Sequence, residues 1–258
     1  MYFLIRFFQM QWLPLIPSNL LKMKKIFLLL AVVLFVLSCE TKTKSLRFEE
    51  EIITTPVNEI VHVTIPVAKD DGETSKKINR KIRELISQSL VIGDPDKELL
   101  PLETQIDSFN IEYQNFKNEF PETPMIWEAQ IDGEVLYQSD EIITIALTIY
   151  TNTGGAHGVS TITFANFDTI SGESLNTLDI FNNVSAVHDI SKQYFYEEIK
   201  GKEADYFNPN DFELPANIGF SEDGIVFLYN VYEIAPYSSG ITEFTIPFEK
   251  LDTYLNYH

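Results

Sequence analysis

The sequence predicts an α+β fold in which helices pack on one face of antiparallel sheets, arranged as two closely joined subdomains. Strand-like runs occur in groups with isolated helices between them, which differs from the strict alternation of strand and helix in parallel α/β folds. Short segments rich in Gly, Asp and Ser join successive strand-like runs, as antiparallel connections require. Residues 39–258 number 220, enough for one large domain or two small ones.

The first 38 residues have the composition of a targeting segment, with four basic residues and no acid. Lys24 and Lys25 precede the apolar run Ile26–Leu37, and a small residue, Ser38, follows before Cys39. This is the order of regions in a secretory signal peptide. The apolar run is shorter than the ~20 residues that span a bilayer. The four residues that end at Cys39 resemble a bacterial lipobox, so we expect Cys39 to be lipidated and to begin the mature chain.

The alternative is a plain membrane anchor with an incidental cysteine. Cys39 is the one cysteine of the chain, so the lack of an internal disulfide does not argue against an oxidising compartment. Met1–Lys22 is a second apolar and aromatic stretch ahead of a complete signal peptide, which indicates Met23 as the true start. We therefore expect a membrane-anchored lipoprotein of the bacterial cell envelope that faces the periplasm or the exterior. Residues 1–38 form its signal segment and residues 39–54 its tether.

Net charge narrows the classes of partner. The whole chain has a net charge of −19, and without the four bases of the signal segment the net charge is near −23. Nucleic acid and anionic lipid surfaces are negatively charged and repel a protein of this charge. We therefore expect membrane contact only through the lipid and no nucleic-acid partner. A cationic protein would be attracted. The alternative is that acidity only keeps an extracytoplasmic protein soluble.

The first predicted subdomain, residues 55–167, begins with a strand over Glu59–Pro66, where apolar and polar residues alternate before a proline. Two helices follow, over about Thr74–Leu90 and Ile106–Phe120, because apolar residues recur there on one helical face. The second stripe is aromatic, and we interpret it as core packing against a sheet and not as a ligand shelf.

Four antiparallel strands complete this subdomain. Met125–Ile131 and Glu134–Gln138 flank Asp132-Gly133, which predicts a hairpin. Glu141–Tyr150 and Val159–Phe167 flank a turn that contains Gly154 and Gly155. Adjacent glycines permit positive φ angles and close backbone approach, as a tight connection between strands requires.

The second predicted subdomain, residues 168–258, starts near a boundary at Asp168–Ser174. A helix is predicted from about Ser185, its N-cap, to Lys200, with Gly201 in the C′ position that favours a left-handed residue. The remaining elements are three short strands and a closing helix, over Ile218–Phe220, Ile225–Tyr232, Ile241–Pro247 and Phe248–Tyr257.

Local motifs for catalysis are absent from the sequence. The four histidines are scattered, with no pair at metal-ligand spacing, so we expect no metal site and no cofactor. No Gly-x-Ser-x-Gly elbow and no phosphate-binding glycine loop occurs. Asp94 and Asp96 begin a pattern like a calcium loop, but Leu99 stands where the sharp-turn glycine belongs. Two of the many acids could still form an acid/base pair of the glycosidase kind, which spacing alone does not test.

Five residues are candidates for contact with a ligand or partner. His157 lies in the glycine turn with Gly154 and Gly155, so its ring is accessible if the turn is exposed. Tyr232 and Tyr237 belong to a tyrosine cluster that could form an aromatic recognition surface. The alternative is architectural: the histidine caps a strand or bonds a neighbouring carbonyl, and two of the three tyrosines Tyr229, Tyr232 and Tyr237 face the core.

Several motifs, taken in order, resemble a known family. They are Thr153–Gly158 with its Gly-Gly-Ala-His-Gly sequence, Phe164–Asp168 followed by Ser171-Gly172, Leu178–Phe181, and Tyr232–Gly240. This order is similar to the extracytoplasmic domain of the lysozyme-sensing anti-sigma factor RsiV, here the C-terminal subdomain. The start of the folded part resembles the non-catalytic N-terminal region of the peptidoglycan deacetylase PdaC.

The resemblance implies an α+β module that binds lysozyme at the cell envelope in one relative. No sigma-binding segment and no polysaccharide deacetylase domain is recognised in this sequence, so envelope binding is the implied property. The first hypothesis is therefore a non-catalytic binding module for a cationic, lysozyme-like protein or an envelope glycan. The alternatives are a carboxylate-dependent enzyme that acts on an envelope polymer and a purely structural lipoprotein.

Overall fold

The computed structural model describes residues 45–93 and 98–258. Their strands form a six-stranded sheet and a three-stranded sheet. The six strands, which keep chain order across the first sheet, are β1 (Phe48–Ile53), β2 (Val61–Ala68), β3 (Glu128–Gln138), β4 (Ile142–Asn152), β5 (Val159–Asp168) and β6 (Ser174–Leu175). The second sheet has the order β7 (Asn217–Ser221), β8 (Gly224–Tyr229) and β9 (Thr242–Ile246).

Five α-helices lie between or after these strands in the described part of the chain. They are α1 (Glu73–Ser89), α2 (Leu102–Glu119), α3 (Thr177–Ile180), α4 (Val184–Glu198) and α5 (Phe248–Leu251). The two long helices predicted before the glycine turn are confirmed as α1 and α2. Ile78, Ile82 and Ile86 of α1 are fully buried, because their spacing puts them on one helical face. The predicted mixture of helices with antiparallel-rich sheets is confirmed.

One strand pair departs from the predicted antiparallel pattern. β2 pairs with β3 in parallel, with Val61 opposite Ala129 and Val63 opposite Ile131. Parallel neighbours need a long crossover, and α1 and α2 supply it. The other strand pairs of both sheets are antiparallel within the described residues.

The hairpin predicted at Asp132-Gly133 is wrong. β3 runs through both residues as one strand. A Cβ atom on Gly133 would lie 2.9 Å from Pro66 Cδ and 3.0 Å from Leu147 Cδ2, so this glycine lets neighbouring strands pack closely. The dipeptide therefore serves side-chain packing in the sheet and not chain reversal.

The segment assigned to the tether contains a strand. β1 pairs with β2 in antiparallel register along its whole length, so residues 48–53 belong to the sheet. The three successive glutamates Glu49–Glu51 conceal the alternation that marks a strand. Charged side chains are common on an edge strand, because they discourage pairing with a second molecule.

The ends of three later elements differ from the prediction. The N-cap of α4 is Asn183 and not Ser185, since Asn183 Oδ1 accepts a hydrogen bond from Ala186 N at 3.1 Å. Gly201 has the expected positive φ of 79°, two residues past the C-cap Ile199. β8 stops at Tyr229, three residues before the predicted end. The predicted closing helix is shorter: α5 ends at Leu251, and a 3-10 turn follows.

β4 separates two hydrophobic cores. Ile143, Ile145 and Leu147 belong to the first core, which α1 and α2 cover. Ile142 belongs to the second core, which contains residues of α4 and the three-stranded sheet. Because side chains alternate along a strand, one strand can serve both cores.

Side-chain amides join the two sheets. Asn217 Oδ1 accepts from Phe164 N, and Asn217 Nδ2 donates to Ile162 O, both at 2.8 Å. Asn230 also bonds β5: its Oδ1 accepts from Ile162 N at 2.8 Å, and its Nδ2 donates to Ile162 O at 2.9 Å. These amides supply the hydrogen bonds that a neighbouring strand would otherwise make to β5.

A third amide completes the junction from inside the protein. Asn166 is buried, donates from Nδ2 to Ile218 O at 2.7 Å and accepts from Thr144 Oγ1 at 2.7 Å. Thr144 Oγ1 in turn accepts from Phe220 N at 3.1 Å. Every polar atom of this small network has a partner, which is what makes its burial tolerable.

Cys39, the predicted lipid-attachment residue, lies outside the described residues. Among residues 45–93 and 98–258, no helix has the length and hydropathy needed to cross a bilayer.

Candidate functional site

Three of the five candidate contact residues meet on the surface. The rings of His157 and Tyr237 stack with their centroids 3.9 Å apart and their planes at 24°. The Tyr232 ring lies beside Tyr237, with a centroid separation of 5.7 Å. All three side chains are exposed. We call His157, Tyr232 and Tyr237 the aromatic site.

The turn between β4 and β5 presents His157 to Tyr237. Gly154 and Gly155 have φ angles of 95° and 115°, which side chains of L-residues rarely allow. Gly155 N donates to Met125 Sδ at 3.3 Å, so the tip of the turn is bonded to the segment before β3. The two glycines therefore shape and anchor the turn, while the histidine ring supplies the exposed surface.

Gly158, at the end of the turn, has a steric role. It is buried, and a Cβ atom there would lie 2.4 Å from the Tyr150 hydroxyl oxygen. The ring of Tyr150 thus lies directly over the backbone at this point. His157 Nδ1 donates to Gly158 O at 2.8 Å, which restrains the imidazole that stacks on Tyr237.

The loop after β8 holds the two tyrosines. Tyr232 has a positive φ of 69°, which is unusual for a residue with a large side chain, and it is 52% exposed. Asn230 N donates to Glu233 Oε2 at 2.9 Å and Glu233 N donates to Asn230 O at 3.1 Å, so a tight turn imposes this backbone. Asn230 is also hydrogen-bonded to β5, the strand that follows the glycine turn. The loop and the glycine turn are therefore both attached to β5.

A shallow groove lies beside Tyr237. Its volume is about 340 Å³, and it is lined by Ser160, Val231, Tyr237, Ser238, Ser239, Gly240 and Ile241. A flat aromatic surface next to a groove of mixed polar and apolar lining is suited to contact with another molecule.

A second concave surface shares the segment that follows Tyr232. This cavity of about 360 Å³ is lined by Phe195, Tyr206, Phe207, Asn208, Asp211, Phe212, Glu213, Leu214, Tyr229, Glu233 and Ile234. No local sequence pattern predicts it. We call it the aromatic-acidic cavity.

The side chains at these surfaces offer aromatic rings and carboxylates. Among the described residues, no group of three His, Cys, Asp or Glu side chains is arranged to hold a metal ion. The carboxylates in the aromatic-acidic cavity, those of Asp211, Glu213 and Glu233, belong to exposed residues.

Two family models match separate parts of the chain. The model described as Deacetylase PdaC matches residues 54–160, and the model described as a protein of unknown function, DUF3298, matches residues 178–249. No catalytic deacetylase domain is among these matches. The PdaC part of the predicted resemblance is thus confirmed, while the RsiV part stays a prediction. No curated protein matches the chain.

Solved structures of the DUF3298 family share the fold. One, from Bacteroides fragilis NCTC 9343, has 19% identity and a TM-score of 0.60 and covers 83% of this chain and 95% of its own. Another, from Pseudomonas aeruginosa PAO1, has 17% identity and a TM-score of 0.59 and covers 83% of this chain and 96% of its own. These likenesses concern the fold alone.

Proposed function

We propose that this chain is a non-catalytic binding module of a lipid-anchored bacterial envelope protein. Its aromatic site captures a cationic protein, with a lysozyme-like hydrolase as the first partner to test. The observation that carries the proposal is the exposed stack of His157 on Tyr237 with Tyr232 beside it. Exposed aromatic residues held in a fixed arrangement are the usual centres of protein interfaces.

Preorganisation supports this role. Hydrogen bonds restrain both segments that carry the rings, so little backbone freedom remains to be lost when a partner binds. The positive φ of Tyr232 is a local strain that the surrounding turn maintains. Such strain is common where a residue has to be presented in one orientation.

Charge supports a cationic partner over a neutral glycan. The chain has 38 acidic residues against 19 basic ones, and a field of this sign accelerates encounter with a cationic protein. The resemblance to a lysozyme-sensing protein points to the same partner class, and the match to the PdaC model is consistent with an envelope location. Lipidation of Cys39 is the proposed anchor, and mass spectrometry of the purified chain tests it.

The decisive experiment measures binding of a c-type lysozyme to the full chain, solubilised in neutral detergent and immobilised. We expect saturable binding that weakens as ionic strength rises. Tyr237→Ala and Tyr232→Ala should each weaken binding by about tenfold or more, as expected for residues near the centre of an interface. Leu178→Ala is the matched control, because Leu178 is 74% exposed and lies outside the aromatic site.

Two results would contradict this proposal. Absence of saturable binding at low and at moderate ionic strength removes the lysozyme-like partner. Equal affinity for the control and both tyrosine variants removes the aromatic site from the interface. Titration with oligomers of N-acetylglucosamine tests the glycan alternative on the same surface.

A further inference from the structure

The aromatic-acidic cavity has a floor of buried rings. Phe195 of α4, Phe212 and Tyr229 of β8 are each at most 5% exposed. The centroid of Phe195 lies 5.2 Å from that of Phe212 and 5.8 Å from that of Tyr229. Tyr206 stands at 85° to Phe195, with a centroid separation of 6.2 Å, and forms a side wall. These four rings belong to the lining of one cavity, together with the exposed ring of Phe207.

Hydrogen bonds hold the polar ends of the two tyrosines. The Tyr229 hydroxyl donates to Glu213 O at 2.5 Å, and the hydroxyl groups of Tyr206 and Thr242 are 2.9 Å apart. Phe207 N donates to Ile234 O at 3.0 Å, which ties together the two loops that form the mouth. Hydrogen bonds thus connect the segments that form the walls of the cavity.

The mouth of the cavity is acidic. Asp211, Glu213 and Glu233 contribute to the lining, and no lysine or arginine does. Within residues 45–93 and 98–258, none of these three carboxylates takes part in an ion pair. The three negative charges at the mouth therefore have no compensating cation there.

The carboxylates at the mouth also act on the Tyr229 hydroxyl in the floor of the cavity. Burial raises the pKa of the Tyr229 hydroxyl well above its usual value, and the negative charges of Glu233 and Glu213 raise that pKa further. A neighbouring carboxylate has this effect only where its potential is felt at the phenol. The interior of the cavity is consequently favourable for positive charge and unfavourable for an anion.

We propose that the aromatic-acidic cavity binds an organic ammonium group, seated against the aromatic rings with the carboxylates around its charge. Ring faces attract a cation through their quadrupole, and cages of aromatic residues bind quaternary ammonium groups in this way. A purely apolar ligand would remove the carboxylates from water without compensation. An ammonium group satisfies both the rings and the carboxylates.

This inference goes beyond the proposed function, because a free small amine can enter the cavity without a protein partner. The same chemistry can come from a lysine side chain on a partner protein. Both sources present an ammonium group on a short aliphatic stem, and the cavity volume of about 360 Å³ is sufficient for such a group.

The test uses the full chain in neutral detergent and isothermal titration calorimetry. Choline is compared with 3,3-dimethylbutan-1-ol, its neutral isostere, so the pair differs in charge at nearly constant shape. We expect saturable binding of choline at least about tenfold tighter than that of the isostere. A second pair, N-acetyl-lysine amide and its ε-acetylated form, tests the side-chain source. Binding by either ammonium compound over its neutral counterpart supports the inference and identifies the preferred source.

Variants at the mouth locate the binding. Glu233→Gln and Glu213→Gln should each weaken ammonium binding several-fold, because each removes a charge close to the ligand. Glu222→Gln is the matched control, since Glu222 is an exposed acid of the β7–β8 turn outside the cavity. Far-ultraviolet circular dichroism confirms that the exposed substitutions leave the fold unchanged.

Three outcomes overturn the inference: no saturable binding of either ammonium compound, equal binding of the charged and neutral members of both pairs, or equal loss of affinity in the control and mouth variants. Lysozyme binding is measured on the same preparation. If lysozyme binds and no ammonium compound does, the proposed function stands and the assignment of this cavity fails.

Discussion

The two cores of the protein are built from different kinds of side chain. The first core consists mainly of isoleucine, valine and leucine side chains on β2, β3, β4 and the two long helices. The second core is richer in aromatic residues, with rings at Phe181, Phe195, Phe212, Phe220, Phe227, Tyr229 and Phe244 among its aliphatic side chains. Branched aliphatic side chains on facing layers interdigitate, whereas aromatic rings pack in preferred offset-stacked or edge-to-face arrangements.

The two cores support different parts of the surface. The aromatic-acidic cavity lies at the border of the second core, because Phe195, Phe212 and Tyr229 belong to both. The first core supplies β4 and β5, which carry the glycine turn of the aromatic site. A rigid aliphatic layer therefore holds one part of the surface, and an aromatic layer provides the concave part.

Truncating one ring in each core has the largest expected effect and tests this contrast. Phe109→Ala should cost about 4–5 kcal/mol of unfolding free energy, because Phe109 is 1% exposed and a sealed cavity would remain. Phe195→Ala should cost less, about 3 kcal/mol, since it enlarges a cavity that is already open to water. Denaturant unfolding measures both values, and a larger loss for Phe195→Ala would contradict the described packing.

Breaking the junction between the sheets is the next test. Asn166→Ala leaves Ile218 O and the Thr144 hydroxyl without their amide partner, which should cost about 2–3 kcal/mol. If this network couples the two cores, calorimetry should show a single transition in the native chain and two overlapping transitions in the variant. The exposed amide of Asn182 provides the control variant Asn182→Ala. A single unaltered transition in Asn166→Ala would show that coupling resides elsewhere.

The sequence predicted α1 and α2 because their burial follows a local period. Ile78, Ile82 and Ile86 are spaced one turn apart, and each is fully buried. The parallel pairing of β2 with β3 has no such local signal. It depends on where two long helices return the chain, and contacts over that separation are not encoded in neighbouring residues.

The glycines explain a second difference between the predicted and the observed structure. Gly154 and Gly155 permit positive φ angles in a turn, as predicted, whereas Gly133 permits close packing within a strand. Both uses follow from the missing Cβ atom, and the local sequence does not distinguish them.

The three residues of the aromatic site stand out singly in the sequence, but no local pattern indicates that they meet. His157 and the two tyrosines are far apart in sequence, and Asn230 brings their segments together through two hydrogen bonds to Ile162. No sequence pattern identifies an asparagine whose side-chain amide takes the place of a neighbouring strand. The aromatic-acidic cavity was missed for a related reason: its lining comes from α4, β8 and two loops, so no single stretch contains it.

The contact between Gly158 and Tyr150 predicts a smaller effect. Gly158→Ala should cost about 1–3 kcal/mol of unfolding free energy, because the Tyr150 ring has to move from a position within 2.4–2.5 Å of the new atom. The cost should fall in a Tyr150→Leu background, where the obstructing ring is gone. Thermal unfolding of the four proteins in this double-mutant cycle measures the coupling. Equal costs in both backgrounds would place the strain outside this contact.

The smallest expected effect concerns the raised pKa of Tyr229. Burial and the nearby Glu233 and Glu213 charges disfavour the phenolate in the folded state, whereas the unfolded chain ionises this group near its usual pKa of about 10. A pKa raised on folding contributes stability that is fully present below pH ~10 and is lost as pH rises above it. Tyr229→Phe should therefore reduce the fall in unfolding free energy above pH ~10. At neutral pH the same substitution should lower the unfolding free energy by about 1 kcal/mol, because the hydrogen bond to Glu213 O is lost. Urea unfolding at neutral and alkaline pH gives both quantities, and identical alkaline slopes for the two proteins would show that Tyr229 ionises without hindrance from its acidic neighbours.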